Sequence, residues 1–372
     1  MRILFPCGLF YPSKLGGPAN TIYWLAKALV KDGYEVSVVT SNNYIDDCQV
    51  ERDRWTVIDK IRVIYCTAHR KLPLRIVRHS LKEIQSCDVV IFSSICYLPN
   101  FPIAIKAKLK RKKIIWSPRG ELFEKTLQGN KSKLLYFKIL KRILGKQVLF
   151  HATSNEERLS IQAVFGQNSE VTVIPNNMEL PQMEERKDFT PQYLLYLGRI
   201  APIKALDNLI EGLAMSERFM NSDFVFKFVG DVENQFKWYY KELQDLISRN
   251  KLEDKIVFVG HESGREKYKT CANAYFLFLV SNSENFGNVV IESLSQGTPV
   301  VASRGTPWQV LEKSNAGYWI QNSSKEIANC VNKVLSLSEY EYKMKREGAQ
   351  ALAKQYDVYE NIKQWRQIID VS

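Results

Sequence analysis

The sequence lacks the features that mark several large classes of protein. Its seven cysteines are scattered, odd in number and free of any CxxC pair, which argues against a disulfide framework and against a zinc site. His69, His79 and His261 have no partners at the spacing of a metal site or a catalytic triad. No apolar run approaches the ~18 residues that a membrane-spanning helix needs. We therefore expect a protein of the reducing cytoplasm, whose membrane contact is at most peripheral.

A nicotinamide-dependent enzyme is also disfavoured. The GxGxxG fingerprint of dinucleotide-binding folds is missing after the first predicted strand, Arg2–Pro6. The second predicted strand ends in Val39, Thr40 and Ser41, which offer no carboxylate for a ribose hydroxyl. The opening segment, MRILFPCGLF, is too short an apolar run for a signal peptide and predicts a strand.

What is present is the composition of an ordinary globular protein with an uneven charge. Hydrophobic residues make up 45% and charged residues 25% of the 372 residues, a length at which two domains are expected. The net charge is +12, of which residues 1–185 carry +11 and the remainder +1. A negatively charged partner is therefore indicated for the first half alone, whether a nucleic acid, anionic lipid head groups or a pyrophosphate.

Short apolar runs alternate with helical segments in both halves, which predicts an α/β fold of two Rossmann-like domains with parallel sheets. The polar, proline-containing segment Asn176–Gln192 has neither the helical nor the strand period and predicts a linker. We assign residues 1–185 to a first domain, 186–350 to a second and 351–372 to a C-terminal helix. If the domains face a central cleft, a ligand is expected there, at the carboxyl ends of the strands.

The loop between the first strand and the first long helix contains Gly16 and Gly17. Glycines at this place let backbone N–H groups approach an anion at the positive end of the helix dipole. A tight turn without a ligand explains the two glycines equally well, so this loop alone leaves the choice open.

The segment Leu197–Gly212 brings two cations to the end of a strand. Arg199 follows the predicted strand, Pro202 suits the first turn of the next helix, and Lys204 falls at the N-terminal end of that helix. A cation at this end opposes the helix dipole, so stability explains Lys204 poorly. A surface salt bridge accounts for Arg199 taken singly. The pair predicts a site for two phosphates, each charge-assisted contact contributing about 1.5–3 kcal/mol.

The segment Ser283–Trp308 carries two glutamates in otherwise apolar surroundings. Glu284 lies on the loop after a buried strand and is expected to face the cleft, whereas Glu292 lies two turns along a short helix and must find hydrogen-bond donors. The backbone amides that open this helix belong to Phe286, Gly287, Asn288 and Val289. Carboxylates that accept from hydroxyls, beside amides and cations that bind phosphate, match a nucleotide-sugar. The alternative is one capping and one solvated glutamate, which the apolar helix disfavours.

These segments resemble the retaining nucleotide-sugar glycosyltransferases with the GT-B fold. GRIAPIK (Gly198–Lys204) and SENFGNVVIESLSQGTPVVAS (Ser283–Ser303) are similar in particular to glycosyltransferase family 4, including its bacterial polysaccharide, O-antigen and capsule members. The family signature is two glutamates with seven residues between them, here Glu284 and Glu292. The likeness extends over nearly the whole chain and implies that the final helices cross back onto the N-terminal domain.

The resemblance also implies a role for each site residue. Arg199 and Lys204 contact the donor diphosphate and offset the charge of the leaving nucleotide, so that no metal is required. Glu284 accepts from hydroxyls of the donor sugar, and Glu292 accepts from those of the ribose. The implied catalytic residues are Glu284, Arg199 and Lys204, and the implied donor-binding residues are Gly16, Gly17, Arg119, Phe286, Gly287, Asn288, Val289 and Glu292.

One segment departs from many relatives, which carry a histidine against the donor sugar where this chain has Ser117–Gly120 (SPRG). Some relatives resemble the SPRG form, and Arg119 is the expected replacement for that histidine. His151 is interpreted as a strand-end histidine whose hydrogen bonds are satisfied within the protein.

Basic residues cluster at 106–113 and along Lys131–Lys146. The second stretch predicts a helix with Leu134, Phe137, Leu140, Ile143 and Leu144 at helical spacing. A core-facing helix with a solvated charged side is one explanation. The charge asymmetry between the two halves favours a binding surface instead. The anionic end of a lipid-linked glycan acceptor would bind there, at the inner leaflet of an anionic membrane. Such an acceptor is expected in the biosynthesis of lipopolysaccharide and other cell-surface polysaccharides.

Three other functions stay open on the sequence alone. A nucleic-acid-binding protein explains the basic half, but LKRKK (Leu109–Lys113) has no aromatic interleaving or recognised module beside it. A sugar-nucleotide epimerase needs a second carboxylate near the sugar, and only Glu284 is clearly placed there. A non-catalytic nucleotide-sugar sensor needs the same residues. A hexosyl- or hexosaminyltransferase that binds no nucleic acid accounts for most of the motifs.

Overall fold

The computed structural model describes residues 1–13, 17–46, 49–67, 73–127, 131–145, 147–186 and 193–371, with only the backbone of residues 125 and 131. Gly16, His69 and residues 187–192 of the predicted linker lie outside the described residues. The chain divides into two compact units, Met1–Glu179 with Val358–Ser372, and Leu180–Asp357.

The first unit is built on an eight-stranded sheet. Its strands are β1 (Arg2–Pro6), β2 (Glu35–Ser41), β3 (Trp55–Ile58), β4 (Ile61–Cys66), β5 (Val89–Ser93), β6 (Lys113–Ser117), β7 (Val148–Ala152) and β8 (Val171–Val173). The order across the sheet is β3-β4-β2-β1-β5-β6-β7-β8, and every neighbouring pair is parallel except β3 and β4. The central strands are almost wholly apolar and buried, as a parallel sheet covered on both faces requires.

The strand β3 was not predicted from the sequence. This strand is joined to β4 by a two-residue turn in which Asp59 and Lys60 both have positive φ, 47° and 64°. Such a turn suits the right-handed twist of a hairpin, but its usual sequence signal is Asn-Gly or Asp-Gly. Asp59-Lys60 lacks that glycine, so the hairpin is not recognisable from the sequence.

Helices cover both faces of this sheet. They are α1 (Gly17–Lys31), α2 (Leu74–Glu83), α3 (Asn100–Leu109), α4 (Glu124–Leu127), α5 (Lys131–Leu144) and α6 (Asn155–Phe165). One apolar core lies on the side of α1, and a second lies on the side of α2, α3, α5 and α6.

The second unit is built on a six-stranded, wholly parallel sheet. Its strands are β9 (Tyr193–Leu197), β10 (Val225–Val229), β11 (Ile256–Gly260), β12 (Leu277–Leu279), β13 (Val300–Ser303) and β14 (Gly317–Ile320), in the order β11-β10-β9-β12-β13-β14. Its helices are α7 (Leu206–Met215), α8 (Glu217–Met220), α9 (Lys237–Arg249), α10 (Gly264–Asn273), α11 (Asn288–Ser295), α12 (Val310–Lys313), α13 (Ser324–Val334) and α14 (Glu339–Lys354). The two parallel α/β sheets confirm the predicted fold class.

The last helix, α15 (Val358–Asp370), belongs to the first unit. Its apolar side chains Trp365 and Ile369 join the core on the side of α1. Its exposed side pairs Arg366 with Asp32 at the end of α1. The chain therefore forms most of the first unit, then the whole second unit, and then returns to complete the first.

Candidate active site

The residues predicted for a site in the second unit lie at the carboxyl ends of β9 and β12, which are neighbours at the centre of the sheet. From β9 the strand order runs outward to β10 and β11 on one side, and from β12 it runs outward to β13 and β14 on the other. Loops that leave two adjacent strands in opposite directions open a crevice between them, which is where open α/β sheets bind ligands. The loop after β9 contains Arg199 and Lys204, and the loop after β12 contains Glu284.

Arg199 follows β9 on a backbone that is tightly held. A β-carbon at Gly230, just after β10, would lie 1.8 Å from the carbonyl oxygen of Gly198, so only glycine fits there. The Tyr196 hydroxyl donates to the carbonyl oxygen of Arg199 at 2.7 Å. The half-exposed guanidinium of Arg199 pairs with the Glu233 carboxylate at 2.5 Å.

Lys204 lies on a short 3-10 turn, Pro202–Lys204, and not within the first turn of an α-helix as the sequence predicted. Ala205 adopts a left-handed conformation with φ of 50°, so the α-helix begins only at Leu206. The N–H of Asn282 donates to the carbonyl oxygen of Ile203 at 2.9 Å and joins this turn to the loop after β12. The side chain of Lys204 therefore reaches the neighbouring loop.

Lys204 and Glu284, which are 80 residues apart in the sequence, form an ion pair. Their side chains are 15% and 14% exposed, so water screens the pair only weakly. The Ser281 hydroxyl donates to the same carboxylate at 2.9 Å. The backbone N–H of Glu284 donates to the Gly305 carbonyl oxygen at 3.0 Å and holds the loop in place. The cation predicted to bind phosphate and the carboxylate predicted to bind sugar are thus in direct contact.

The helix α11 begins behind a turn that requires glycine. Gly287 has φ of 85°, and a β-carbon there would lie 2.8 Å from the side chain of Leu279. The Phe286 ring is buried against Trp308 and Tyr356, with ring centroids 5.0 Å and 5.9 Å away. The turn therefore holds the predicted set of backbone amides, Phe286, Gly287, Asn288 and Val289, at the N-terminal end of α11.

Glu292 lies in the middle of α11 and is paired with Lys267 of α10. The Lys267 Nζ is 2.8 Å from Oε1 of Glu292, and the two side chains are 15% and 7% exposed. Burial by itself lowers the pKa of the Lys267 amine, but the Glu292 carboxylate, together with Tyr268 and Cys271, more than offsets this effect, so the net pKa is raised. The sequence predicted that Glu292 must find a donor, and Lys267 is that donor.

In the first unit, Arg119 follows β6 in a left-handed conformation with φ of 60°. Its Nη1 donates to the Asn176 side-chain oxygen at 2.7 Å, and its Nε donates to the Ser93 hydroxyl at 3.3 Å. Burial lowers the pKa of the guanidinium to about 10, with Glu157 opposing the shift. Gly17 begins α1 with open space around its α-carbon.

His151 is a buried residue of β7 whose ring nitrogens are both engaged. Nε2 donates to the carbonyl oxygen of Ile174 at 2.8 Å, and Nδ1 contacts the Ser117 hydroxyl. Burial, and secondarily the charge of Arg119, lowers the pKa of the imidazole to about 3, so the ring stays neutral at physiological pH. This agrees with the interpretation of His151 as internally satisfied.

Three contact residues of the site were not found from the sequence: Glu233 beside Arg199, Ser281 beside Glu284, and Lys267 beside Glu292. Ser281 is close to Glu284 in the sequence, but the other two partners come from different loops or helices. Within the described part of the chain, no group of three or more histidine, cysteine or carboxylate side chains could hold a metal ion.

Comparisons with known proteins find similar folds and related sequences. A solved structure of the Anabaena protein HepE in complex with UDP superposes with a TM-score of 0.80 at 20% identity, covering 100% of both chains. WaaG, a glycosyltransferase involved in lipopolysaccharide biosynthesis, superposes with a TM-score of 0.71 at 16% identity, again over 100% of both chains. In sequence, a GDP-mannose:cellobiosyl-diphosphopolyprenol α-mannosyltransferase of Xanthomonas oryzae pv. oryzae is 24% identical over 280 residues, 74% of this chain and 72% of that protein.

Family models cover nearly the whole chain. The model described as Glycosyltransferase Family 4 matches residues 15–180, and the model described as Glycosyl transferases group 1 matches residues 181–351. The resemblance predicted from GRIAPIK and the two-glutamate segment is thereby confirmed. With its two parallel Rossmann-like sheets, the chain belongs to glycosyltransferase family 4 and has the GT-B fold.

Proposed function

We propose that this member of family 4 is a retaining, metal-independent hexosyl- or hexosaminyltransferase. It would move a sugar from a nucleotide-diphosphate-sugar to a lipid-linked glycan acceptor in the biosynthesis of a cell-surface polysaccharide. The observation that carries this proposal is the contact between Lys204 and Glu284, which joins the loops after β9 and β12 where the strand order reverses. A cation and a carboxylate in one crevice are suited to a diphosphate and a sugar that are joined by one bond.

In this proposal, the two cations of the loop after β9 bind the donor diphosphate. Negative charge on the diphosphate grows as the glycosidic bond breaks, so Arg199 and Lys204 stabilise the transition state more than the bound donor. The backbone amides from Phe286 to Val289 add donors at the positive end of α11, where an anion is favoured. These groups take the charge-neutralising role for which many transferases use a metal ion.

Glu284 is proposed to accept hydrogen bonds from hydroxyl groups of the donor sugar. The pair with Lys204 and the hydrogen bond from Ser281 fix the orientation of this largely buried carboxylate before a donor arrives. Glu292 is proposed to accept from the ribose, and Gly16, Gly17 and Arg119 are proposed as further donor-binding residues.

The nucleotide-binding part of the proposal predicts stabilisation by nucleoside diphosphates. UDP or GDP at about 100 times its dissociation constant should stabilise the protein by about 2.7 kcal/mol. UMP and GMP should raise the melting temperature less, because they offer the two cations a single phosphate. Thermal denaturation of the full chain measures the stabilisation by the nucleoside diphosphates and the smaller stabilisation by the monophosphates. The comparison variant is Arg199→Ala. A melting temperature that no nucleoside diphosphate shifts at millimolar concentration would contradict the proposal.

The lipid-linked acceptor is supported by chemistry and by one relative. The Xanthomonas oryzae pv. oryzae mannosyltransferase named above acts on a diphosphopolyprenol-linked sugar. In this chain the charge of +11 on residues 1–185 would suit such an anionic end. We propose that the protein meets such an acceptor at the membrane surface. Within the described residues, no helix is long and apolar enough to cross a bilayer.

The helix α5 carries both exposed apolar side chains and basic side chains, which suit a membrane surface. Phe137, Leu140 and Leu144 are buried in the core, whereas Leu134, which the sequence placed at the same helical spacing, is 43% exposed. Leu135 and Ile139, one turn apart, are 61% and 44% exposed. The cations Lys138, Lys141 and Arg142 are on the same helix. Exposed apolar side chains among cations are typical of helices that lie at a bilayer interface.

Co-sedimentation with vesicles tests this membrane contact. The protein should sediment with phosphatidylglycerol-containing vesicles at low salt and should be released by high salt, because each engaged cation contributes about 1 kcal/mol at an anionic surface. Changing Lys110, Arg111 and Lys112 to glutamine should weaken vesicle binding by up to about a hundredfold and leave nucleotide affinity unchanged. Lys113 is left in place because its amine donates to the Val371 carbonyl oxygen.

The matched control changes three exposed cations of the second unit, Lys237, Lys241 and Lys251, to glutamine. This variant loses the same charge and should bind vesicles as the wild type does. Equal weakening in both variants would mean that only net charge matters. A wild-type protein that ignores anionic vesicles at low salt would instead indicate a soluble acceptor.

A further inference from the structure

The ion pair between Glu292 and Lys267 is almost wholly removed from water. Glu292 lies on α11 between the buried residues Ile291 and Ser293, and Lys267 lies on the neighbouring helix α10. The amine takes one carboxylate oxygen, Oε1, at 2.8 Å. The Lys267 amine does not take the other oxygen, Oε2, and the Glu292 side chain keeps an exposure of 7%.

Stability gives a weak explanation of this pair. Taking two charges out of water carries a large desolvation cost, and apolar residues of similar volume commonly replace buried ion pairs without loss of stability. A carboxylate that is needed for hydrogen bonding gives a stronger explanation. A carboxylate this deeply buried needs hydrogen-bond donors, and the Lys267 amine is one. With Oε1 held by the Lys267 amine, the direction of the other oxygen, Oε2, is also fixed.

We infer that Lys267 is a positioning residue for donor recognition. It holds the Glu292 carboxylate in one orientation, so that Oε2 accepts hydrogen bonds from the vicinal 2′- and 3′-hydroxyls of the donor's ribose. This inference rests on the proposed assignment of Glu292 to the ribose and adds the residue that positions Glu292 for that contact. Lys267 itself contacts no substrate, since its amine is directed at the carboxylate. Its effect on binding passes entirely through Glu292.

The test compares the affinity of the full chain for UDP and for 2′,3′-dideoxyuridine diphosphate by calorimetry, and likewise for the guanosine pair. The ratio of the two dissociation constants measures recognition of the ribose hydroxyls and is insensitive to a general loss of stability. In the wild type the ribonucleotide should bind at least about tenfold more tightly, because only the ribonucleotide has the two hydroxyls that donate to the charged Glu292 carboxylate. In Lys267→Met and in Glu292→Gln the ratio should fall close to one.

The matched control is Lys269→Met on the same helix. Lys269 also pairs with a carboxylate, Glu266 at 2.7 Å, but both side chains are well exposed. This variant should keep the wild-type ratio. If Lys267→Met fails to fold, Lys267→Gln takes its place, because glutamine keeps a donor and removes the charge, and its ratio should fall at least about threefold.

Two results would overturn the inference, and they are distinguishable. A wild-type ratio in Lys267→Met or Lys267→Gln, with a lost ratio in Glu292→Gln, would show that Glu292 works without Lys267 and would leave the proposed function intact. A wild-type ratio in Glu292→Gln would refute the ribose assignment itself, and the inference would fall with it.

Discussion

Glu284→Gln is expected to lower kcat by about a hundredfold or more, with a much smaller change in KM. Glutamine keeps the shape of the side chain and one oxygen for the Ser281 hydroxyl, so the loop should keep its conformation. The variant loses the negative charge beside the reacting sugar and leaves Lys204 without its carboxylate. Removing a single preorganised electrostatic group from an active site commonly costs a factor of about 100 to 1,000.

Steady-state kinetics with a labelled donor measure this effect. Glu253→Gln, which makes the same change at an exposed position of the same unit, is the matched control and should behave as the wild type. The linkage formed by residual activity should still be α when the donor is α-linked. A kcat within about threefold of the wild type would remove Glu284 from the catalytic set.

Lys204→Ala and Arg199→Ala are each expected to lower kcat at least about tenfold, because both cations offset the charge that develops on the leaving diphosphate. The two variants are expected to differ in how much stability they lose. Lys204→Ala leaves a largely buried Glu284 carboxylate without its cation and should cost about 3 kcal/mol. Arg199→Ala breaks a pair with one half-exposed partner and should cost less than about 1 kcal/mol.

Thermal denaturation and kinetics on the same protein samples test this contrast. Turnover should fall in both variants, whereas the melting temperature should fall by several degrees only in Lys204→Ala. Near-wild-type turnover in both variants would refute the assignment of a phosphate-binding pair. An unchanged melting temperature in Lys204→Ala would show that the ion pair with Glu284 contributes nothing to stability.

The fold class was predictable because its signal is local. Each buried parallel strand is a short apolar run. The predicted first strand, Arg2–Pro6, matches β1 residue for residue, and β4 (IRVIYC) and β14 (GYWI) are runs of the same kind. The hairpin strand β3 was missed because its turn lacks the usual glycine. The start of α7 was misplaced because the left-handed conformation of Ala205 has no sequence signal, alanine being an unusual residue for it.

The candidate site was only partly predictable, for a different reason. The two glutamates and the two cations stand out because charged residues follow apolar strands or interrupt an apolar helix. Their partners do not stand out, because contact between Lys204 and Glu284 depends on which strands are neighbours in the sheet. Lys267 does not stand out either. In the sequence it is one of several charged residues of α10, and its contact with Glu292 depends on the packing of α10 against α11.

The most direct test of the central claim is transfer itself. Wild-type protein is incubated with UDP-glucose or GDP-mannose, each labelled in the sugar, with and without a bacterial lipid extract that contains polyprenyl-diphosphate-linked sugars. We predict that label enters the lipid fraction in an α linkage and that nucleoside diphosphate is released in equal amount, only when the extract is present. Conversion of the donor to an epimeric nucleotide-sugar without any extract, or binding of the donor with no transfer under any of these conditions, would contradict the account.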